Sequence, residues 1–211
     1  MKNIAKTYPF QVFRHLIYLP ILNYLDLIQD LKRKVKTQKI IELDELGIDK
    51  SKGVRYEAIS YKKLNKILSY AKKKQFDNFL DIGCGLGRPL IVANQVGFKN
   101  LYGVDISDKL IKKCQINLDV KKIEADLSCT DVNSYEFPRG KLCIFLFNPF
   151  GEERVKNIVK KFSERENETL ILYHNPKHSN VFDSKHLIKK FIWNNFGLYE
   201  EKCFVYLIPP R

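Results

Sequence analysis

The segment "FLDIGCGLGRPL", from Phe79 to Leu90, constrains the fold of this chain more than any other. An apolar run, a turn with three glycines and the start of a helix follow one another directly. Glycine adopts positive φ without steric cost and lets a ligand approach the backbone closely. A strand–turn–helix unit of this kind is typical of α/β domains whose first turn cradles a nucleotide-like ligand.

From residue 76 onward the chain alternates apolar strand candidates with helical stretches. The predicted strands are Asn78–Ile82, Leu101–Val104, Lys121–Glu124, Leu142–Phe147 and Thr169–Tyr173. The predicted helices are Pro89–Val96, Lys109–Leu118, Glu153–Phe162 and Lys185–Phe191. The final segment, residues 198–210, is strand-like. This alternation predicts an α/β fold with a mostly parallel sheet and helices on both faces.

Residues 1–75 are predicted to form a basic helical N-terminal extension or lid, and residues 76–211 the ligand-binding domain. Apolar residues after Pro20 follow helical spacing, namely Ile21, Tyr24, Leu25, Ile28, Leu31 and Val35. A second helix is predicted to begin after Ser60, which can cap it. We expect the apolar face of the first helix to pack onto the domain; the alternative is that it lies on an anionic membrane surface.

The net charge of +13 is concentrated at the N-terminus. Residues 1–75 hold 17 lysines and arginines against 7 aspartates and glutamates. This excess indicates either attraction to a polyanion, such as nucleic acid, an acidic glycan or an anionic membrane, or a solvated lysine-rich face. No apolar run reaches the ~18 residues of a membrane span. Because Arg14 and His15 interrupt the N-terminal apolar stretch, it does not resemble a signal peptide. We expect a cytoplasmic protein, with peripheral membrane association as an option.

The five cysteines are scattered and include no C-x-x-C pair. This pattern argues against a disulfide framework and a zinc site, and it fits a reducing compartment. His174 and His178 have i, i+4 spacing, but a proline lies between them and predicts a loop. We therefore expect no metal site.

The glycines depart from the dinucleotide-binding fingerprint, because Arg88 occupies the position of its third glycine. They follow G-x-G-x-G instead, with Asp81 shortly before them. A carboxylate there would repel a pyrophosphate and suit a ligand that carries an ammonium group. Asp105 ends the next predicted strand, where a ribose-binding carboxylate is expected. Asp126 follows the predicted third strand and could accept a hydrogen bond from the amine of a base.

Taken together, "FLDIGCGLGR…LYGVDIS…IEADL…FLFNPFG" resembles the class I S-adenosylmethionine-dependent methyltransferases over about residues 56–211. The resemblance implies a Rossmann-like, mostly parallel seven-stranded sheet and S-adenosyl-L-methionine as cofactor. It also implies these cofactor-binding residues: Asp81 near the amino group, Gly83, Gly85 and Gly87 against the methionine and ribose, Asp105 on the ribose hydroxyls, Ile106 on the adenine ring and Asp126 on the adenine amine. More narrowly, the chain resembles a poorly characterised bacterial group with an NPF motif.

The candidate acceptor side follows the fourth and fifth predicted strands. In "FLFNPFG", Asn148, Pro149 and Phe150 match only part of the Asn/Asp-Pro-Pro-aromatic motif of amine-directed methyltransferases, which weakens the case for adenine N-methylation. The alternative is that Asn148 and Pro149 simply turn the chain. In "LYHNP", Tyr173, His174 and Asn175 would face the same crevice, and His174 could act as a general base.

For three further residues the sequence allows either a role in the site or a purely structural role. Tyr56 and Tyr61 precede or begin the second helix, where they could wall the methionine end of the cofactor or pack the extension onto the domain. Arg88 could bind the cofactor carboxylate through a bidentate contact or remain solvated at the start of its helix. Of these alternatives, we predict that Tyr61 binds the substrate and that Arg88 binds the cofactor.

The sequence thus predicts a methyltransferase whose acceptor is unidentified, with a small molecule or glycan favoured and RNA or protein amines as alternatives. Two readings from other classes are a nicotinamide-dependent oxidoreductase and a non-catalytic nucleic-acid-binding module. Arg88 at the third glycine position argues against the first, and no RNA-binding motif in the extension supports the second.

Overall fold

The fold is that of a computed structural model, which describes residue 17 and residues 19–49, 55–147, 150–194 and 200–211. The helices are α1 (Leu19–Arg33), α2 (Leu43–Leu46), α3 (Tyr61–Lys72), α4 (Arg88–Gln95), α5 (Asp108–Val120) and α6 (Glu152–Ser163). The strands are β1 (Ile40–Ile41), β2 (Tyr56–Glu57), β3 (Asn78–Ile82), β4 (Asn100–Asp105), β5 (Asp126–Cys129), β6 (Leu142–Phe147), β7 (Thr169–His174), β8 (Leu187–Asn194) and β9 (Glu200–Ile208).

Seven of these strands form one sheet in the order β5-β4-β3-β6-β7-β9-β8. Strands β5, β4, β3, β6 and β7 are parallel, whereas β9 runs antiparallel to both β7 and β8. The strand order reverses between β3 and β6, and in sheets of this type ligands bind beyond the carboxyl ends of the strands at that reversal. The predicted Rossmann-like, mostly parallel seven-stranded fold is confirmed.

Helices cover both faces of the sheet because successive strand residues point to opposite sides. Phe79 packs with Leu64, Ile67 and other apolar residues of α3, α4 and α5 in one buried cluster. Its neighbour Leu80 packs with Ile158 and other residues of α6 in a second cluster on the other face. The central parallel strands β6 and β7 are therefore buried along almost their whole length instead of alternating between buried and exposed residues.

Two predicted elements are wrong. The third strand lies at Asp126–Cys129 rather than Lys121–Glu124, because α5 continues to Val120 and its final turn closes through the Ile123 amide bonded to the Leu118 carbonyl. The predicted helix Lys185–Phe191 is largely strand β8, which pairs with β9 through seven residue pairs. Antiparallel pairing and the sequence "FIW", which favours strands, prevail there over the helical pattern.

Helix α1 docks on the domain through its polar face, so the expectation that its apolar face packs inward is also wrong. Asp30 is only 2% exposed, whereas Tyr24 is 63% and Leu31 is 68% exposed. Among the described side chains of α1, apolar ones reach partial burial at most. A helix that buries carboxylates and exposes leucines requires a cationic partner inside the protein.

Candidate functional site

A cavity of about 200 Å³ lies at the carboxyl ends of the parallel strands, where the strand order reverses. Its walls come from the turn after β3, the end of β4, the segment after β5, the end of β6 and the segment after β7. Residues of the N-terminal segment close it from above, among them Leu43, Leu46, Ile48 and Tyr56. The cavity therefore lies between the two predicted parts of the chain.

The glycine turn after β3 has the conformation that its sequence predicts. Gly83, Gly85 and Gly87 all have positive φ, at 76°, 54° and 82°. A side chain at Gly85 would come within 2.3 Å of the Tyr56 ring, and one at Gly87 within 2.6 Å of the Cys114 sulfur. Both positions therefore require glycine for space as well as for backbone conformation.

Asp105, the last residue of β4, ties the turn to the neighbouring strand. Its carboxylate accepts the Gly85 amide at 3.0 Å and the Ser107 amide at 2.9 Å. Burial raises the pKa of Asp105, and these backbone hydrogen bonds act in the opposite direction. Each carboxylate oxygen has a second lone pair, so the group can still accept hydrogen bonds from a ligand in the cavity. Ile106 lines the cavity beside it.

Asp81 supplies an unsatisfied buried carboxylate at the cavity wall. It is 2% exposed, and within the described residues its Oδ2 atom has no hydrogen-bond partner. Burial, followed by the nearby charge of Asp105, raises the pKa of Asp81 well above its usual value. A buried acceptor without a partner is energetically unfavourable. A ligand ammonium group would satisfy it, which fits the amino group of S-adenosylmethionine.

The structure contradicts the position expected for Asp126. This residue begins β5, so it lies at the end of the strand away from the cavity; it pairs in register with Tyr102 and lines a different, open depression. The error follows from the misplaced third strand. The acidic residue that follows β5 at the cavity is Asp131, which forms an ion pair with Arg154 at 3.0 Å. With the end of β5 placed correctly at Cys129, the first acidic residue after the strand is Asp131, so the sequence did contain this signal.

Arg88 lines the cavity, but its guanidinium group is directed to the N-terminal segment. All three of its nitrogens bind there: Nε donates to Thr37 Oγ1 at 2.7 Å, Nη1 to the Ile59 carbonyl at 3.0 Å and Nη2 to Gln38 Oε1 at 2.8 Å. Nη1 and Nη2 also lie 3.4 Å from the carboxylates of Asp26 and Asp30, respectively.

These five partners match the five donors of a guanidinium group. The side chain is 1% exposed, so the guanidinium group belongs to the protein interior. The contact with a cofactor carboxylate that the sequence suggested is replaced by contacts within the chain.

Tyr61 is also part of this interior network rather than of the cavity wall. Its hydroxyl donates to Asp30 Oδ1 at 2.7 Å, and the Arg88 guanidinium carbon lies 4.4 Å from its ring centroid. Tyr56 has the contrasting position: its ring lies against Gly85 in the cavity wall, and its hydroxyl donates to the Thr37 carbonyl at 2.9 Å. Of the two tyrosines, Tyr56 covers the glycine turn and Tyr61 packs the extension onto the domain.

Tyr173 and His174 end β7 on opposite faces of the sheet, and neither lines the cavity. Tyr173 is fully buried and packs against Phe182. His174 is 1% exposed, with its Nε2 atom 3.6 Å from a carboxylate oxygen of Glu201, and burial lowers its pKa. The crevice position that the sequence predicted for them is wrong, because residues at the end of a buried strand alternate between its two covered faces.

The side of the cavity next to β6 and β7 is aromatic and polar. Phe147 ends β6, Phe150 begins the following segment, and Asn175 and Lys177 follow β7. The predicted residues Asn148 and Pro149 lie outside the described residues. Asn175, which the sequence placed in the same crevice as Tyr173 and His174, does line the cavity, whereas Phe147 and Lys177 are additions to the predicted site. The signal of these two residues in the sequence was their position at or shortly after the ends of two neighbouring strands.

Comparison with known proteins finds similarity in the central part of the chain. Residues 79–164 match the family described as a methyltransferase domain. A ribosomal protein L11 methyltransferase from Aquifex aeolicus is 32% identical over 89 residues, 40% of this chain and 35% of that protein. An uncharacterized protein from Methanocaldococcus jannaschii is 30% identical over 95 residues, 44% of this chain and 41% of that protein. The similarity thus spans about two fifths of the length of these curated relatives.

Solved structures share the fold over a larger part of the chain. An RNA methyltransferase from Salinibacter ruber, in complex with S-adenosyl-L-homocysteine, aligns with a TM-score of 0.56 at 16% identity and covers 73% of this chain and 95% of that one. A magnesium protoporphyrin IX methyltransferase from Synechocystis PCC 6803, with bound S-adenosylmethionine, aligns with a TM-score of 0.54 at 14% identity, covering 70% and 78%. These alignments show that the chain shares a Rossmann-like fold with the two proteins over about seven tenths of its length.

The buried Asp81 carboxylate predicts a pH-dependent stability difference. Its pKa is raised on folding, so the folded protein binds more protons than the unfolded chain, and stability falls as the pH rises above the unfolded value of ~3.9. We expect Asp81→Asn to raise the free energy of unfolding of the ligand-free protein at neutral pH by about 1 kcal/mol. This difference in the free energy of unfolding between variant and wild type should shrink toward pH 4. Urea unfolding of both proteins at several pH values measures the difference.

Asp77→Asn is the matched control, since Asp77 precedes the same strand and pairs with Lys72 and Lys99, which lower its pKa. That variant should not be more stable than the wild type at neutral pH. Equal effects of the two substitutions would contradict the assignment of Asp81 as an unsatisfied buried acceptor.

Replacing the buried guanidinium should destabilise the whole protein. Arg88→Met leaves the buried Asp30 and the partly buried Asp26 carboxylates without their cation, for which we expect a loss of about 3–5 kcal/mol in the free energy of unfolding. The double variant Arg88→Met/Asp30→Asn should be less destabilised than the sum of the two single variants, because it removes charge from both sides of one interaction. Urea unfolding of all four proteins completes the cycle, and additive losses would show that the pair is not coupled.

Proposed function

We propose that this protein is an S-adenosylmethionine-dependent methyltransferase. The observation that carries the proposal is the unsatisfied Asp81 carboxylate in the wall of a cavity that also holds Asp105 and the glycine turn. A cationic amino group and a ribose are the ligand parts that these residues fit. The methyltransferase domain match over residues 79–164 supports the activity. The two solved methyltransferases with bound S-adenosylmethionine or S-adenosyl-L-homocysteine support the cofactor.

In this proposal each cavity residue near the turn has a defined part in binding the cofactor. Asp81 accepts the ammonium group, and the backbone at Gly83 and Gly85 lies along the methionine and ribose. Asp105 accepts the ribose hydroxyls with its remaining lone pairs, and Ile106 packs on the adenine ring. We assign the adenine amine to Asp131, in place of Asp126.

The chain contributes to the reaction mainly by positioning. The bound cofactor supplies a methyl group that is already activated, and the acceptor attacks it in line. Holding two reactants in a productive geometry can lower a barrier by ~7–11 kcal/mol. Tyr56 and the short helix α2 cover the cavity and would exclude water from it. We assign no general base, since Tyr173 and His174 do not reach the cavity.

The acceptor would enter beside Phe147, Phe150, Asn175 and Lys177. Aromatic rings next to an amide and an amine suit an uncharged or anionic molecule with both apolar and polar groups. We favour a small molecule or glycan as acceptor. A protein amine is the second candidate acceptor, because one relative is a ribosomal protein L11 methyltransferase. It ranks second because the similarity covers only 35% of that protein.

We propose further that residues 1–75 act as an extension that covers the catalytic domain of residues 76–211. The support is that the extension supplies Tyr56 and α2 to the cavity and is held by Arg88 at the first position of α4. Within the described ranges, no helix is both long enough and apolar enough to cross a membrane. We propose a cytoplasmic location.

The cofactor assignment predicts different effects for the two acidic residues of the β5 region. Asp131→Ala should weaken binding of S-adenosylhomocysteine by about tenfold, the effect of one lost hydrogen bond of ~1.4 kcal/mol. Asp126→Ala should leave the affinity unchanged, because Asp126 begins β5 and does not line the cavity, whereas Asp131 follows β5 and does. Isothermal titration calorimetry with S-adenosylhomocysteine and with NAD measures both. Tight binding of NAD without binding of S-adenosylhomocysteine would contradict the proposed cofactor.

The acceptor class can be found by labelling. The protein is incubated with S-adenosylmethionine carrying a labelled methyl group and with fractions of a bacterial extract. We expect the label in the small-molecule or glycan fraction, and expect Asp105→Ala to abolish its transfer. Label in protein or RNA would reject the favoured acceptor while keeping the activity, and no transfer to any fraction would count against the activity itself.

A further inference from the structure

The outward side of α1 is an exposed apolar surface. We call the apolar face the set Ile21, Tyr24, Leu25, Leu27 and Leu31, whose exposed fractions range from 44% to 68%. Four of these residues, all but Leu27, recur at helical spacing and so lie on one side of the helix. Single exposed leucines are ordinary on protein surfaces, whereas a contiguous row on one helix marks an interaction site.

The opposite side of α1 is fully engaged, which fixes the orientation of the helix. Asp26 and Asp30 bind the buried Arg88, and Arg33 stacks on the Tyr61 ring with its guanidinium carbon 4.3 Å from the ring centroid. Rotating the helix to bury its leucines would break these ion pairs and leave buried charges unpaired, which is strongly unfavourable. The apolar face therefore stays outside as long as the polar face is docked.

Positive charge is concentrated in the last turn of α1 and in the residues that follow it. Lys32 and Lys34 end or follow α1, and Lys36 and Lys39 come just after it. All four are exposed, and throughout the described part of the chain none of them forms an ion pair. The two carboxylates of α1 point inward to Arg88, so they do not offset this charge on the outside.

We propose that the apolar face and its four lysines form a docking surface for an anionic lipid bilayer. An apolar row that enters the boundary between headgroups and acyl chains, with basic side chains beside it, is the arrangement that binds such membranes. Charge complementarity selects this occupant over a second copy of the same chain, because two copies would bring like-charged lysines together. The proposal is independent of the methyl-transfer activity.

The test is co-sedimentation of the full chain with vesicles of phosphatidylcholine alone or mixed with phosphatidylglycerol. We expect binding to the mixed vesicles only. Leu25→Gln/Leu31→Gln should reduce it by about tenfold or more, since both side chains would enter the lipid. Lys32→Gln/Lys34→Gln should reduce it by a comparable factor and make the remainder less sensitive to salt.

Ile116→Gln is the matched control, because Ile116 is 61% exposed on α5, outside the proposed surface. It should bind as the wild type does. Absence of wild-type binding to the mixed vesicles would overturn the proposal, as would equal losses in the control and the leucine variant.

Two further measurements identify the other occupants. Light scattering of the full chain would reveal a dimer that Leu25→Gln/Leu31→Gln dissociates, and such a dimer without vesicle binding would assign the surface to a second copy. Thermal unfolding of the same variant tests coverage by the chain's own N-terminal residues. A clearly lowered melting temperature together with no vesicle binding would assign the surface to that segment.

Discussion

The buried ion pair between Arg88 and Asp30 determines how the N-terminal segment and the α/β domain fit together. Arg88 is the first residue of the helix that follows the glycine turn, and Asp30 lies on a helix 58 positions earlier. Two buried charges are tolerated only when each is paired and hydrogen-bonded. Both conditions are met, since Asp30 also accepts the Tyr61 hydroxyl and the backbone amides of Thr37 and Gln38. The domain therefore holds its extension through polar contacts at a defined position and orientation.

This arrangement has a direct consequence for the cavity. Thr37, which binds both Arg88 and Asp30, accepts the Tyr56 hydroxyl through its backbone carbonyl, and the Tyr56 ring lies against Gly85. A continuous chain of contacts therefore runs from the inward face of α1 to the turn at which the cofactor is proposed to bind. An arginine in the third position of the glycine motif, which excludes the common dinucleotide pattern, is what makes this connection possible.

Much of the fold could be predicted from the sequence because its strongest signals are local. Strands β3 and β6 begin and end at the residues predicted from the sequence, and the Ser60 side chain accepts the Lys63 amide at the start of α3 as its sequence indicates. The prediction failed where tertiary pairing decides, as in β8, and where a helix ran on beyond its periodic residues, as in α5. Because of the second failure the adenine amine was assigned to Asp126, which does not line the cavity, instead of Asp131, which does and to which we propose to assign it.

The site residues show the same division between local and tertiary information. The glycine turn, Asp81 and Asp105 follow from position along the chain, because the end of each parallel strand meets the same edge of the sheet. The partners of Arg88 do not, since they lie between 29 and 62 residues away in sequence. For the same reason the pattern of α1 could predict that the helix is amphipathic but not which side faces the protein. The periodicity of a helix shows that its two faces differ in polarity. Which face packs against the protein depends on the buried groups that the rest of the chain presents to it. In this chain the buried group is the Arg88 guanidinium, so the acidic face of α1 packs inward and its leucines are exposed.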